Sequence, residues 1–263
     1  MNIFFWICIK SIQKQLAYQK AAIAGLLTNL FFGLLRAAVL TALYGSRNIV
    51  TGLSLDSAIT YTGIAQAIIG FLSLFSWYEL MQSVYTGAVA TDLVKPFNYY
   101  RFWMAQDLGR ALAQLVLRGL PIMVFYALFF NLTLPISWQQ WLFFALTLVL
   151  AWSISFSWRF LLNLSSFWIP NAVGILRFGF LLSWFLSGFL MPLRYFPDWF
   201  TKLCYLTPFP HMVNTSVEIF LGVVDGANLI KVVVMQLIWA IGLVLISQLV
   251  LKSGIRRLVI LGG

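Results

Sequence analysis

Charge is what this chain has least of. Only 9% of its 263 residues are Asp, Glu, Lys or Arg, where a soluble domain carries roughly 25%. Seven acids and a single histidine, His211, leave little material for acid–base catalysis. Two cysteines, Cys8 and Cys204, lie near opposite ends of the chain and offer neither a disulfide framework nor a metal site. No glycine is followed by lysine, so the G-x-x-x-x-G-K-S/T loop that cradles nucleotide phosphates is missing. The chain therefore cannot bind and split a nucleotide in that manner by itself, and no cofactor is expected in it. His211 and Glu218 are seven apart and would share a helix face, so an acid–base pair is conceivable. An interfacial histidine near a helix start is the plainer reading.

What fills the space is apolar. Hydrophobic residues make up 62% of the chain and aromatics 17%, with a mean hydropathy of +0.92. This composition describes a polytopic membrane protein, one transmembrane domain over 1–263 with no room for a soluble one. A net charge of +10 would suggest nucleic acid in a soluble protein. Here the basic residues fall mainly between apolar runs, so the partner is membrane lipid and not nucleic acid.

The fold expected is all-α, with six transmembrane helices. Residues 1–20 carry Phe5, Ile9, Ile12 and Leu16 at helical spacing with Lys10, Gln13, Lys14 and Lys20 elsewhere, an amphipathic helix lying on the inner surface. Its apolar start lacks a small-residue cleavage site before the next hydrophobic run and is not read as a removable signal. Spans are expected at Ala22–Tyr44, Ala58–Leu80, Gln106–Phe130 with a kink at Pro121, Trp138–Leu162, Ala172–Met191 and Leu229–Leu251. Pro170 lies in the short link before the fifth.

Between the fifth and sixth spans, Pro192, Pro197, Pro208 and Pro210 break the chain. The segment nonetheless stays aromatic, with Tyr195, Phe196, Trp199, Phe200, Tyr205 and Phe209. Two short re-entrant helices in the outer interface, over 192–217, reconcile these facts, since broken backbone survives at membrane depth only when covered by protein or facing a wet cavity.

With both termini inside, the inner segments hold Lys10, Lys14, Lys20, Lys95, Arg101, Arg110, Arg159, Lys252, Arg256 and Arg257. The outer ones hold Arg47, Arg194, Lys202 and Lys231, which satisfies the positive-inside rule. Arg36 and Arg118 fall near mid-depth, where arginine costs about 2.5–3.5 kcal/mol on insertion scales. No acid sits at matching depth, so they face carbonyls, a wet cavity, a subunit interface or a substrate, unless they snorkel. Proton-coupled transport usually needs an intramembrane carboxylate or histidine; the only candidate, Glu79, falls near the inner end of its span. A proton-coupled secondary carrier is therefore the weaker alternative, and a membrane-embedded enzyme or assembly factor weaker still.

Several of these residues carry a resemblance. Ser187-Gly188-x-x-x-Pro192, then Phe196-Pro197-x-Trp199, Pro208-Phe209 and Ile219-Phe-Leu-Gly222 resemble the permease subunits of ABC-2-type exporters. The subgroup most similar is that of daunorubicin and viologen export permeases. Gly87-x-x-x-x-Asp92-Leu-Val-Lys95-Pro96-Phe-Asn-Tyr99 resembles the family's coupling segment, which fits a groove on an ATP-binding subunit. Phe167-Trp168 and Arg256-Arg257…Gly262-Gly263 are also similar to that subgroup, although the tail at Leu258–Leu261 is more apolar than its pattern.

The resemblance implies a motor in a separate subunit that carries ATP and Mg. It also implies a second permease copy, identical or related, and a bacterial inner-membrane location. The coupling segment (81–105) would dock through a short helix over 86–104, with rim charges Asp92, Lys95 and Arg101 and apolar anchors Leu93, Phe97 and Tyr99. The first, second and fifth spans would line the shared interface, where Gly25, Gly33, Gly63 and Gly70 permit close approach. Gly63 and Gly70 would border the translocation path with Arg36 and Arg118. Gly188, Phe189, Met191 and the Pro192–Pro210 hairpins would form the outer gate. The cargo expected is hydrophobic or amphiphilic, drug-like or lipid-like.

Overall fold

The computed structural model describes residues 2–169 and 171–257; Met1, Pro170 and the tail from Leu258 to Gly263 lie outside them. Helix α1 (Ile3–Ala17) is capped by Asn2, whose side chain accepts from the Phe4 amide at 3.2 Å. The stripe expected to seek an apolar surface, Phe5, Ile9 and Leu16, points away from the protein. The opposite face is the one that packs. Ile7 and Cys8 are buried, and Ser11 Oγ donates to the Gln106 carbonyl at 2.6 Å. A side chain at Gly109 would come within 2.2 Å of the Cys8 carbonyl oxygen. Small residues let this helix lie directly on its neighbour, and the bulky ones are left for lipid.

Helix α2 (Gln19–Tyr44) is 26 residues long, about 39 Å. A two-strand hairpin follows, β1 (Ile49–Val50) and β2 (Leu53–Ser54), antiparallel in register. Both of its turn residues, Thr51 and Gly52, have positive φ, the turn that suits a two-residue hairpin. Helix α3 (Leu55–Leu72) is the central post: 78% of its span is buried inside the protein, against 17% for α2.

The second span was expected to run to Leu80, but α3 stops eight residues earlier. Ser73 adopts a left-handed conformation, its amide bonding Gly70 O while the Leu74 amide reaches Ile69 O, a Schellman-type ending. Glu79 therefore does not end a span. It opens a separate short helix, α4 (Glu79–Tyr85), followed by α5 (Val89–Val94).

Helix α6 (Tyr99–Gln114) starts at Asn98, whose side chain accepts from the Arg101 amide at 3.0 Å. It continues through a π turn at Leu115–Gly119 into α7 (Leu120–Phe129). Pro121 has no amide hydrogen and its ring crowds the carbonyl four residues back. Widening the preceding turn absorbs that conflict, so the expected kink is realised as a π turn.

Helix α8 (Trp138–Leu164), capped by Ser137, runs beside the last helix, α12 (Gly226–Ile255). Between them the chain forms α9 (Val173–Leu186), α10 (Asp198–Tyr205) and α11 (Asn214–Phe220). Among the described residues five helices are long and apolar enough to cross a membrane: Lys20–Tyr44, Leu55–Leu72, Tyr99–Phe129, Trp138–Phe167 and Gly226–Ile255. The remaining apolar helix, α9, has 14 residues and spans about 21 Å, short of a hydrocarbon core of about 30 Å. It ends at Leu186, ahead of the proline expected to stop it. The chain is thus an all-α, multi-pass membrane protein.

Candidate functional site: a stapled crossover and a buried ion triad

The break after α9 is held chiefly by one side chain, that of Asn214, with Tyr61 beside it. Asn214, fully buried at the start of α11, accepts from the Leu193 amide at 3.1 Å through Oδ1. Its Nδ2 donates to Tyr205 Oη at 2.9 Å, and its backbone amide donates to Ser187 O at 3.0 Å. The Tyr61 hydroxyl of α3 lies 2.8 Å from Gly188 O and 2.9 Å from Asn214 Oδ1 and shares its proton between them. Gly188 has φ +80°, and a Cβ there would stand 2.7 Å from that hydroxyl. The crossover Ser187–Pro192 is therefore satisfied by Asn214 and Tyr61, which is why the helix can end before Pro192 with its carbonyls buried.

Arg36 joins this crossover from α2. Its Nη1 donates to Phe189 O at 2.9 Å and its guanidinium carbon stands 4.1 Å from the centre of the Phe189 ring. A charge-assisted hydrogen bond of about 1.5–3 kcal/mol and a desolvated cation–π contact of about 2 kcal/mol offset the insertion cost without a carboxylate. Between α2 and the crossover opens a cleft of about 470 Å³, lined by Leu35, Arg36, Leu43, Arg47, Met191 and Tyr195. At its hairpin end Tyr44 and Tyr195 pair through their hydroxyls at 2.8 Å.

The expected gate residues divide into two groups. Gly188, Phe189 and Pro192 are in the crossover itself, with Met191 facing the cleft. Pro208 and Phe209 are buried, Phe209 edge-on to Trp158 at 5.1 Å. Pro197 and Trp199 point outward, and Phe196 is half-buried against Phe200. His211 and Glu218 do not pair. Glu218 accepts from Arg194 Nε at 3.0 Å, while His211 Nδ1 meets Thr215 Oγ1 at 3.1 Å. Burial pushes the His211 pKa down to about 4, so the ring is neutral.

The four glycines assigned to a subunit interface face their own chain. A Cβ on Gly63 would meet the Tyr126 ring at 2.6 Å, and one on Gly33 the Tyr126 hydroxyl at 2.7 Å. Gly70 lies against Gln114, and the Arg118 guanidinium lies over Gly25. Enclosed by its own helices, α3 has no broad face left for a second copy, so the interface expectation is corrected for the second span. Arg118 itself, in the π turn, donates through Nη2 to Ala21 O at 3.1 Å.

At the opposite end of α3 lies a cluster that loop-charge reasoning passes over. Asp107, at the very start of the expected third span, is buried on α6. Both its oxygens face Arg159 of α8, at 2.9 Å each. Arg110 donates to Oδ1 through Nε and Nη2, and Trp152 Nε1 donates to Oδ2 at 2.9 Å. Arg110 also reaches Gly70 O at 2.9 Å and so caps the end of α3. An Asp-x-x-Arg pair inside one apolar run and a lone arginine inside another were the available signal.

The coupling segment is two short helices and a turn, not one helix. Lys95 pairs with Asp92 at 2.6 Å and sits over Phe102, which in turn touches Phe97. Asp92, Leu93 and Phe97 are partly covered, while Lys95, Pro96 and Arg101 are exposed. Tyr99, expected as an anchor for a partner, is 6% exposed and packs on Trp103. The apolar side chains offered outward are Val94 and Tyr85. Asn163 of α8 pins this segment, bonding Trp77 O at 2.8 Å and the Met81 amide at 3.0 Å.

Comparison with known proteins bears on the chain as a whole. No curated protein matches it. Residues 29–262, from within α2 into the tail, match the profile of the ABC-2 family transporter proteins. That range takes in the central post, the ion triad and the stapled crossover alike, and permeases of this kind work with an ATP-binding partner subunit. The chain belongs to the ABC-2 transporter family, as a membrane permease subunit.

Proposed function

We propose that this permease exports a hydrophobic or amphiphilic molecule from the cytoplasm across the bacterial inner membrane, both termini being cytoplasmic. ATP and Mg act in the separate ATPase. The observation that carries this reading is the crossover Ser187–Pro192. It closes the α2 cleft, is held to α3 and α11 by hydrogen bonds, and falls within the family match. A second permease, identical or related, faces the first across α2 and α9, whose apolar side chains Phe31, Leu35, Phe178 and Phe185 are exposed. ATP binding favours one of two arrangements of the pair through its differential affinity for them, and the crossover is the outer gate.

The ATPase docks on α4, α5 and the turn that follows. Val94 and Tyr85 supply apolar contact, Leu93 and Phe97 the partly covered base, and Asp92, Lys95 and Arg101 the rim. Movement there reaches α8 through Asn163. Co-purification of the native complex, followed by ATP-driven transport in proteoliposomes, tests the proposal. An ATPase should accompany the chain, and charge reversal at Lys95 should uncouple ATP use from transport. A chain fully active alone and indifferent to ATP would overturn it.

A further inference from the structure

Arg36 has found partners for its charge; Arg118 has not. Its Nε is buried without a partner, and the guanidinium makes a single hydrogen bond, to Ala21 O. It opens instead onto a cavity of about 230 Å³ between α2, the end of α3 and α6. The polar lining is Asn29, Ser73, Ser76, Arg110, Gln114 and Arg118, with no carboxylate among the described residues that line it. Arg110 does not neutralise the cavity, because it and Arg159 share the single carboxylate of Asp107. Glu79 lies with Asp107 and Arg110 along a separate cleft, so the positive charge left uncompensated in this cavity is chiefly that of Arg118. Arg118 is partly buried with donors to spare, a guanidinium suited to an anion.

Position narrows the choice. Measured along the helix from its Phe129 end, Arg118 lies about 16 Å in and Arg110 about 28 Å in, so the cavity spans the inner half of a core about 30 Å thick. Phe75 is part of its lining, and exposed apolar side chains lie nearby on the elements that build it: Ile23 and Leu27 on α2, Leu112 on α6 and Val116 in the π turn. A charged group held by Arg110 and Arg118 would have acyl-compatible surface on either side. We propose that this cavity binds the phosphate group of an anionic amphiphile loaded sideways from the inner leaflet. Arg110 meets the group at headgroup level and Arg118 draws it inward. The loading role rests on the export reading above; the binding does not.

The test uses the full-length chain in detergent, without the ATPase, and counts bound lipid by native mass spectrometry. Dioleoylphosphatidic acid should bind at least about tenfold more tightly than dioleoylphosphatidylcholine. Arg118→Gln should weaken it about tenfold, Arg118→Lys should recover most of the loss, and Lys252→Gln, a surface charge on α12, should change nothing. Displacement by millimolar inorganic phosphate would assign the site to a soluble phosphate; failure to displace would assign it to lipid, and in both cases the anion site stands. Equal affinity for the two lipids, or an Arg118→Gln variant that binds as before, overturns the proposal. An ATPase that never couples would sink the export reading and leave this result untouched.

Discussion

The two ends of α3 are tied to the rest of the protein by opposite kinds of chemistry. At one end Asp107, Arg110 and Arg159 form a charged lock, with the carboxylate receiving donors from α6 and α8 at once. Towards the other end Asn214 and Tyr61 hold the crossover with neutral groups, each satisfying backbone atoms of a broken segment, and the one charge that joins them, Arg36, meets a carbonyl and a ring instead of a carboxylate. The difference is one of failure mode. Removing one charge from a buried set leaves its partners uncompensated, which costs far more than the set itself contributes. Removing one neutral hydrogen bond leaves a single group unpaired. A segment that rearranges during a transport cycle is better built from the second kind, because its bonds can be exchanged one at a time.

The comparison breaks most visibly at Asp107. Asp107→Asn leaves Arg110 and Arg159 side by side with no counter-charge, and the loss should be about 3–5 kcal/mol. Thermal unfolding in detergent should show a large drop or little recoverable protein. Replacing all three residues together by apolar ones of similar volume should cost less than the single change. An Asp107→Asn protein as stable as the parent would mean that the lock is not under charge constraint.

The neutral end should respond more mildly and more locally. Asn214→Leu strands the Leu193 amide, at about 1–3 kcal/mol for a buried donor left unsatisfied, while the Tyr205 hydroxyl loses one donor and keeps its own proton to give. Limited proteolysis should then cut within Ser187–Pro192 while the thermal midpoint moves less than for Asp107→Asn. Cutting spread evenly over the chain would contradict a staple confined to the crossover. Gly188→Ala is milder again. It places a Cβ in a left-handed conformation, about 1–2 kcal/mol, and against the Tyr61 hydroxyl. Combining it with Tyr61→Phe should recover part of the loss.

How much of this was legible beforehand depends on the range of each interaction. Long apolar runs mark the helices that cross the membrane, and clustered prolines mark the broken segment after α9, because both signals are local. The end of α9 at Leu186 was not legible: the groups that satisfy the carbonyls just past it, those of Ser187 and Gly188, come from Asn214 and Tyr61, on other elements. Nor was the triad, since Asp107 and Arg159 are 52 residues apart and each alone resembles a charge near a span end. Tyr99 misled for a related reason. Beside Pro96 and Arg101 it reads as an interfacial aromatic, but helical phase turns it inward with Trp103 and against Phe160. Gly63 and Gly33 were rightly read as sites of close approach, yet the approaching group is Tyr126 of the same chain.

The smallest effect sharpens the contrast by pH. His211 sits within the neutral network, bonded to Thr215 Oγ1, with its carbonyl accepting from Gln236 at 2.9 Å and the Tyr205 ring beside it. Burial holds its pKa at about 4, below the ordinary 6.5. Above 6.5 the ring is neutral in folded and unfolded chains alike and contributes no pH dependence. Between 6.5 and 4 the unfolded chain takes up a proton that the folded one refuses, so stability falls as pH falls through that window and levels off below it. His211→Gln should leave the thermal midpoint near pH 7.5 almost unchanged and flatten the slope between pH 6.5 and 4. A slope of equal steepness in His211→Gln would assign the acid sensitivity to carboxylates elsewhere and remove the histidine from the account of the crossover.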